Sequence, residues 1–437
     1  MPEFSDRRPE PRLQAEPRGG VPGVTDTLAG FRDACDALAA ASGSLAADAE
    51  RASGYRYGHE DWLVQFKREG AGIFLFDPIA LGKAGADWND FNRAVGDATW
   101  IIHDSLMDLP GFADLGMRPR ALFDTEIAAR LLGLHRFGLA AVIEHYLGVT
   151  LAKEHSAADW SYRPLPRDWR NYAALDVELL IELEALMRRD LRDHGKDGWA
   201  EEEFAHALAA GTGPRPDRHP VPWMRISRIT KLGRDRRALA IAKALWTKRD
   251  ELARAHDIAP TLLLSDVAII EAATRKPRNA REFRAIRSLN ERVRMHTGGE
   301  QDKMFERYAP IQRTVKPVVW KEAIQSALAL PAGELPTPPA SSAPRGENES
   351  NAPKAMRIWA DRHPDRLARL ERARKAINQI ADDTRTPAEI VIRPQIIRNL
   401  CWLEDVSGVD VAEFLAAQGA RDWQVRLIAA SVTRAIM

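Results

Sequence analysis

Two proline-rich stretches limit what this chain can fold into. Gly211 to Pro222 (GTGPRPDRHPVP) has too many prolines to continue a helix and is too polar to be core. Leu330 to Pro353 (LPAGELPTPPASSAPRGENESNAP) concentrates proline, serine, alanine and glutamate, and cannot bury enough apolar area to offset the entropy of ordering it. A chain of 437 residues already exceeds one usual hydrophobic core, so these breaks define three folded segments. The segments are expected at 25–210, 234–330 and 355–437, joined by linkers at 211–233 and 331–354. Residues 1–24 are rich in proline, arginine and glutamate and lack the apolar run of a secretory signal, so they are expected to form a disordered tail.

The first segment mixes periodicities. A helical run (DTLAGFRDACDALAAA) precedes three strand-like runs (GSLAADAERA, WLVQFKREG, GIFLFDP), a fourth follows at TWIIH, and helices dominate thereafter. This is an α/β pattern. From Arg234 onward the apolar residues fall at helical spacing with little strand signal, so the second and third segments are expected to be all-α. They also echo each other. Pro260 with its apolar triplet and Ile269-Ile270 parallels Pro387 with Ile390-Val391-Ile392 and Ile396-Ile397, and Ala280-Arg-Glu-Phe283 parallels Val411-Ala-Glu-Phe414. Duplication of one helical module is the reading that follows.

The composition excludes several classes. Cys35 and Cys401 stand far apart with no Cys/His cluster nearby, which leaves no disulfide framework or zinc site, and both are expected to be buried apolar residues. No apolar stretch approaches the about 18 residues of a membrane span, so a cytoplasmic protein without a membrane partner or an obligate protein partner is expected. The net charge of +1 does not by itself indicate a polyanionic partner, but local charge can be hidden in such a sum.

Three motifs could carry chemistry. Asp48 and Glu50 are two apart on a predicted strand, so both carboxylates project from one face; such a pair suits a solvated surface or a hard divalent cation. In IIHDSLMDLPGF, a strand-like run ends at His103-Asp104 and Asp108 follows at helical spacing; Asp104 could cap the helix and His103 could be a core histidine. In RDWRNYAALDVELLIELEALM, Tyr172 and Asp176 are four apart on one helix face, either a phenol and carboxylate acting together or a core tyrosine beside a surface acid.

Taken in order, Asp48-x-Glu50, Asp108 and Tyr172-x-x-x-Asp176 resemble the three exonuclease motifs of the DEDD superfamily in its tyrosine-bearing branch. The text around them (LFDTEIAARLLG, IEHYLGVTLAKEHSAADWSYRPLP and the Tyr-Ala-Ala-Leu-Asp helix) is similar to ribonuclease D over roughly residues 30–210. The resemblance implies a ribonuclease H-like exonuclease domain, with a mixed central sheet flanked by helices. It also implies two divalent ions, magnesium or manganese, about 4 Å apart. Asp48 would bridge them, Glu50 and Asp176 would complete one site, Asp108 would support the other, and Tyr172 would aim the attacking water. Counting from His103 as similar sequences do selects Asp108 over Asp104. Arg51 departs from the pattern, since relatives often have an apolar residue there; it could meet substrate phosphate or sit at the strand's exposed end.

The two helical segments resemble HRDC modules, the first through ALAIAKALWTKRDELARAHDIAPTLLLSD and the second, more divergent, through the internal repeat. Arg275, Lys276, Arg278, Arg281, Arg284 and Arg287 suggest a basic helix face for nucleic acid, and Arg225, Arg228, Lys231, Arg234, Arg236 and Arg237 form a second cluster that could follow a phosphate backbone. The function implied is removal of nucleotides from RNA 3′ ends, tRNA-like precursors included. A DNA exonuclease and a non-catalytic nucleic-acid binder are the alternatives.

Overall fold

The structure is a computed structural model that describes residues 10–152, 155, 157–214, 221–295, 299–337 and 352–437. Among the described residues eight strands form the β portion: β1 (Arg12–Gln14), β2 (Val24–Thr25), β3 (Leu45–Arg51), β4 (Asp61–Arg68), β5 (Gly72–Phe76), β6 (Thr99–Ile102), β7 (Ala121–Asp124) and β8 (Val149–Leu151). Six of them make one mixed sheet in the order β2-β5-β4-β3-β6-β7, antiparallel from β3 to β5 and parallel elsewhere. The expected mixed sheet is present, and β3, with the Asp48-x-Glu50 pair, lies inside it rather than at an edge.

Around the sheet lie α1 (Leu28–Ala40), α2 (Pro78–Ala84), α3 (Trp88–Val95), α4 (Ser105–Asp114), α5 (Thr125–Leu131), α6 (Leu139–Leu147), α7 (Arg167–Glu178), α8 (Leu180–Asp193) and α9 (Asp197–Thr212). One core joins both components: Phe66, Phe76, Phe91, Trp100 and Phe112 meet mostly edge to face or tilted, with centroids 4.6–6.1 Å apart. Cys35 belongs to this core, and Cys401 is buried in the third segment, as expected.

The second segment contains α10 (Arg236–His256), α11 (Pro260–Leu263), α12 (Asp266–Arg275), α13 (Ala280–Arg284), α14 (Arg287–Asn290), α15 (Glu300–Glu306), α16 (Ala309–Thr314) and α17 (Pro317–Ala329). The third contains α18 (Met356–Arg362), α19 (Pro364–Thr384), α20 (Ala388–Val391), α21 (Pro394–Trp402), α22 (Val411–Ala417) and α23 (Asp422–Ile436). The two segments share the start of their helix order. A 21-residue helix, ended by a left-handed residue (Asp257, φ 47°; Arg385, φ 50°), leads to a four-residue helix and then a longer one. All three helices begin at the same offset, at 236, 260 and 266 against 364, 388 and 394, which corrects the pairing of Pro260 with Pro387 by one residue.

Two boundaries differ from expectation. The tail expected to be disordered over 1–24 is ordered in its described part: β1 pairs with β8, Arg18 is ion-paired with Glu182, and Arg167 binds Glu16. A three-residue strand flanked by prolines has too little periodicity to be read locally; its partner lies more than a hundred residues away. Residues 1–9 lie outside the described residues. Within the linker expected at 211–233, Trp223, Ile226, Ile229 and Leu232 are buried in the core of the helical segment, so that segment starts earlier than Arg234. Residues 215–220, and 338–351 of the second linker, lie outside the described residues.

Both helical segments pack on the sheet domain. The loop after β3 inserts Tyr55, which stacks on Phe305 at 4.6 Å, and its carbonyl accepts from Ala259 N–H at 2.8 Å. On the other side Trp423 stacks on Trp199 at 4.6 Å and donates to Glu203, an aromatic pair worth about 0.5–1.5 kcal/mol beyond its buried area. Among the described residues no helix is long and apolar enough to cross a membrane.

Candidate active site

The three motifs, scattered over more than a hundred residues of sequence, meet at one place. Alternation along β3 puts Asp48 and Glu50 on one face, while α7 crosses that face and brings Asp176 to it. A carboxylate oxygen from each of Asp48, Glu50 and Asp176 lies within 4.8 Å of the others. Gln65, opposite Asp48 in β4, donates to Asp48 Oδ2 at 2.5 Å. Sequence reading missed Gln65; the signal was a lone amide in the otherwise apolar run Leu63-Val64-Gln65-Phe66, completely buried here.

Asp108 stands on the first turn of α4, is buried, and lies within hydrogen-bonding reach of Asp48. Asp104 is placed elsewhere. It occupies the N-cap position of α4 with a left-handed backbone (φ 57°) but makes no side-chain capping bond, and burial followed by Glu126 and Asp124 pushes its carboxyl up to about 6. His103 hydrogen-bonds Thr125 at 2.8 Å, and burial pushes it down to about 4, the behaviour of a neutral core histidine. Asp124 of the LFDTEI stretch is structural: it accepts from Ser105 N–H and caps α5 through Glu126 and Ile127 N–H.

Electrostatics single the cluster out. Burial and then the neighbouring carboxylates push Glu50, Asp108 and Asp176 well above the ordinary carboxylate range, and burial does the same for Asp48 to a lesser degree. Crowding acids without cations is costly, because each charge is desolvated and repelled. Oxygen-only ligands at this spacing are the donor set of a hard divalent ion, so an acidic, partly buried cluster able to hold a cation is what these residues form. Tyr172 hydrogen-bonds Asp176; burial, then Asp176, Glu50 and Asp48, push its phenol above the usual range, so it stays protonated.

The basic residues are distributed differently from the expected single helix face. Lys276 adopts a left-handed conformation (φ 47°) that ends α12, and a new cap at Asn279 starts α13, so Arg281 and Arg284 lie on one short helix and Arg287 on another. Lys276 is ion-paired with Asp235 at the start of α10, Arg275 with Glu271, and Arg287 with Glu291; Arg278, Arg281 and Arg284 are exposed. In the upstream cluster, Arg237 donates to the carbonyls of Ala327, Leu328 and Leu330 and Arg236 to those of Leu335 and Pro336, leaving Arg225, Arg228, Lys231 and Arg234 on the surface.

Comparison with known proteins shows which family the chain resembles. The family described as 3′-5′ exonuclease matches residues 23–192, and the HRDC domain family matches residues 238–300. The ribonuclease D of Zymomonas mobilis is 30% identical over 275 residues, 62% of this chain and 67% of that one. The chain belongs to the ribonuclease D family. Ribonuclease D of a Shewanella species is 31% identical over 225 residues, 51% of this chain, and the chain spans only about half of that relative, 56% of its length. The third segment carries its own family signature: residues 352–436 match the 3′ to 5′ exonuclease C-terminal domain, a family distinct from the HRDC match. A protein of known structure from Bifidobacterium adolescentis is 69% identical, with a TM-score of 0.91 over 98% of this chain and 100% of that one. RNase D of Escherichia coli, described as an exoribonuclease involved in structured RNA processing, shares the fold at 21% identity, with a TM-score of 0.58 over 94% of this chain and 98% of that one.

Proposed function

We propose that this member of the ribonuclease D family is a 3′-to-5′ exoribonuclease that uses two divalent cations, magnesium or manganese, to trim RNA ends. The observation that carries the reading is the meeting of Asp48, Glu50 and Asp176 within 4.8 Å, beside Tyr172 and Asp108, with Glu50 and Asp108 buried and the other three half-buried. Asp48, Glu50 and Asp176 would hold one cation, and Asp48 with Asp108 the second. Bound there, such cations supply charge that makes water a nucleophile near neutral pH and offsets the charge on the leaving 3′ oxygen.

The chain's own residues do the positioning. The Tyr172 hydroxyl, kept protonated and hydrogen-bonded to Asp176, orients the attacking water by a hydrogen bond and does not take its proton. Gln65 fixes the Asp48 carboxylate from the neighbouring strand. Exposed Arg278, Arg281 and Arg284, with Arg275 and Arg287 on the same segment, provide a positive surface for the RNA backbone, and Lys276 contributes by holding α12 to α10. Structured precursors such as those of tRNA are the substrate class this reading favours.

Tyr172→Phe is expected to leave cation affinity unchanged and to lower kcat about 10–100-fold with little change in KM, as measured on a short RNA. Turnover itself is tested with 5′-labelled single-stranded RNA and matched DNA, in magnesium, manganese and chelator. A ladder shortening from the 3′ end of RNA only when the cation is present supports the proposal; a ladder from DNA alone would assign a DNA exonuclease, and binding without shortening would overturn the catalytic reading.

A further inference from the structure

Arg51 does not sit at an exposed strand end: its side chain is only 19% exposed and faces two carboxylates. A bulge in the β3–β4 pairing, where Glu50 opposes Leu63 but Arg51 opposes Asp61, breaks the strand alternation at this residue. The guanidinium turns inward: Nε is 2.8 Å from Asp61 Oδ1 and Nη2 is 2.9 Å from Asp108 Oδ1. Asp61 is almost fully enclosed, at 2% exposure, and among the described residues Arg51 is the only cation paired with it. The enclosure is tight because α4 passes over it at Gly111, where a Cβ atom would lie 2.1 Å from Asp61 Oδ2. Arg51 is therefore shared between a buried carboxylate and Asp108, the motif carboxylate that stands outside the close trio of Asp48, Glu50 and Asp176.

We propose that Arg51, anchored by Asp61, is a positioning residue that occupies the charge position of the second cation at Asp108 and so makes the two cation sites unequal. The trio site fills first. The Asp48–Asp108 site fills at higher concentration, because an incoming cation must compete with a guanidinium already paired to one of its ligands. This inference rests on the two-cation reading above and adds an order of filling to it. A fixed positive charge at ion-pair distance from a ligand opposes cation binding there; Arg51 also acts on Asp48 and Glu50, but among the motif carboxylates it is paired directly with Asp108. Asp61 tempers that effect by sharing the guanidinium.

The two partners thus predict opposite signs. Calorimetric titration of the full chain with manganese alone should resolve a tight and a weak site. Arg51→Gln should tighten the weak site about tenfold and change the tight site little. Asp61→Asn should weaken the second site further, because the guanidinium is then left to Asp108 alone, and Arg51→Lys should keep the two sites unequal. A purely architectural tie between strand and helix would lower Tm in both variants without reversing the affinity change. Two equal sites in the unsubstituted protein, or an unaltered weak site in Arg51→Gln, would overturn the inference while leaving the two-cation reading intact; no manganese binding at all would overturn both. Should Arg51→Gln fail to fold by circular dichroism, Asp61→Asn decides alone: a weakened second site supports the proposal and an unchanged or tightened one overturns it.

Discussion

Asp48→Asn is expected to reduce RNA trimming by about 10³-fold or more and to raise, not lower, the Tm of the cation-free protein. The loss follows from position: Asp48 is the carboxylate shared between the trio and Asp108, so both of the proposed cation sites would depend on it. The gain has a separate cause. Asp48 contributes to the raised titration of Glu50, Asp108 and Asp176, which means its charge opposes theirs in the folded state. An amide of the same shape removes that repulsion, and a Tm increase of about 2–4 °C in chelator is expected from relief worth roughly 1 kcal/mol. Comparing single-turnover trimming with melting in chelator separates the two effects. An equal loss of activity and Tm would indicate that Asp48 is architectural.

Cation-free stability should fall as pH rises, and divalent cations should reverse the trend. Glu50 and Asp176 titrate from ordinary values of 4.5 and 3.8 when unfolded but well above them when folded. Between those limits the folded chain holds more protons than the unfolded one, so stability is lost as pH rises through the folded values. Asp61, pushed up to about 6 mainly by burial, acts in the same direction. Cations compete with those protons, so the Tm increase produced by magnesium should be small near pH 5 and largest near pH 8. Melting curves at both pH values, with magnesium and with chelator, check this; a magnesium shift independent of pH would mean that the cluster is not where the ion binds. Asp48→Asn should flatten both slopes.

The legible part of this site was the part written in local periodicity. The spacing of Asp48 and Glu50 on a strand, and of Tyr172 and Asp176 on a helix, each fixed a shared face, and their order along the chain carried the family resemblance. What local periodicity cannot express is a partner far away in sequence. Asp61 reads as one more acid in a polar turn, and becomes a buried anchor only because α4 passes over it at Gly111. The strand Arg12–Gln14 exists only through Val149–Leu151. The arginines from 275 to 287 failed in the other direction: three-residue spacing looked continuous, but the left-handed Lys276 and the cap at Asn279 divide it among three helices. Arg236 and Arg237 show the same hazard, since charge counted from sequence included two guanidinium groups committed to backbone carbonyls.

The measurement that bears most directly on the central claim is anomalous diffraction from crystals of the full chain soaked in manganese. Two peaks about 4 Å apart are expected, the stronger among Asp48, Glu50 and Asp176 and the weaker between Asp48 and Asp108. Manganese absent from this cluster, or bound only at other carboxylates, would contradict that claim.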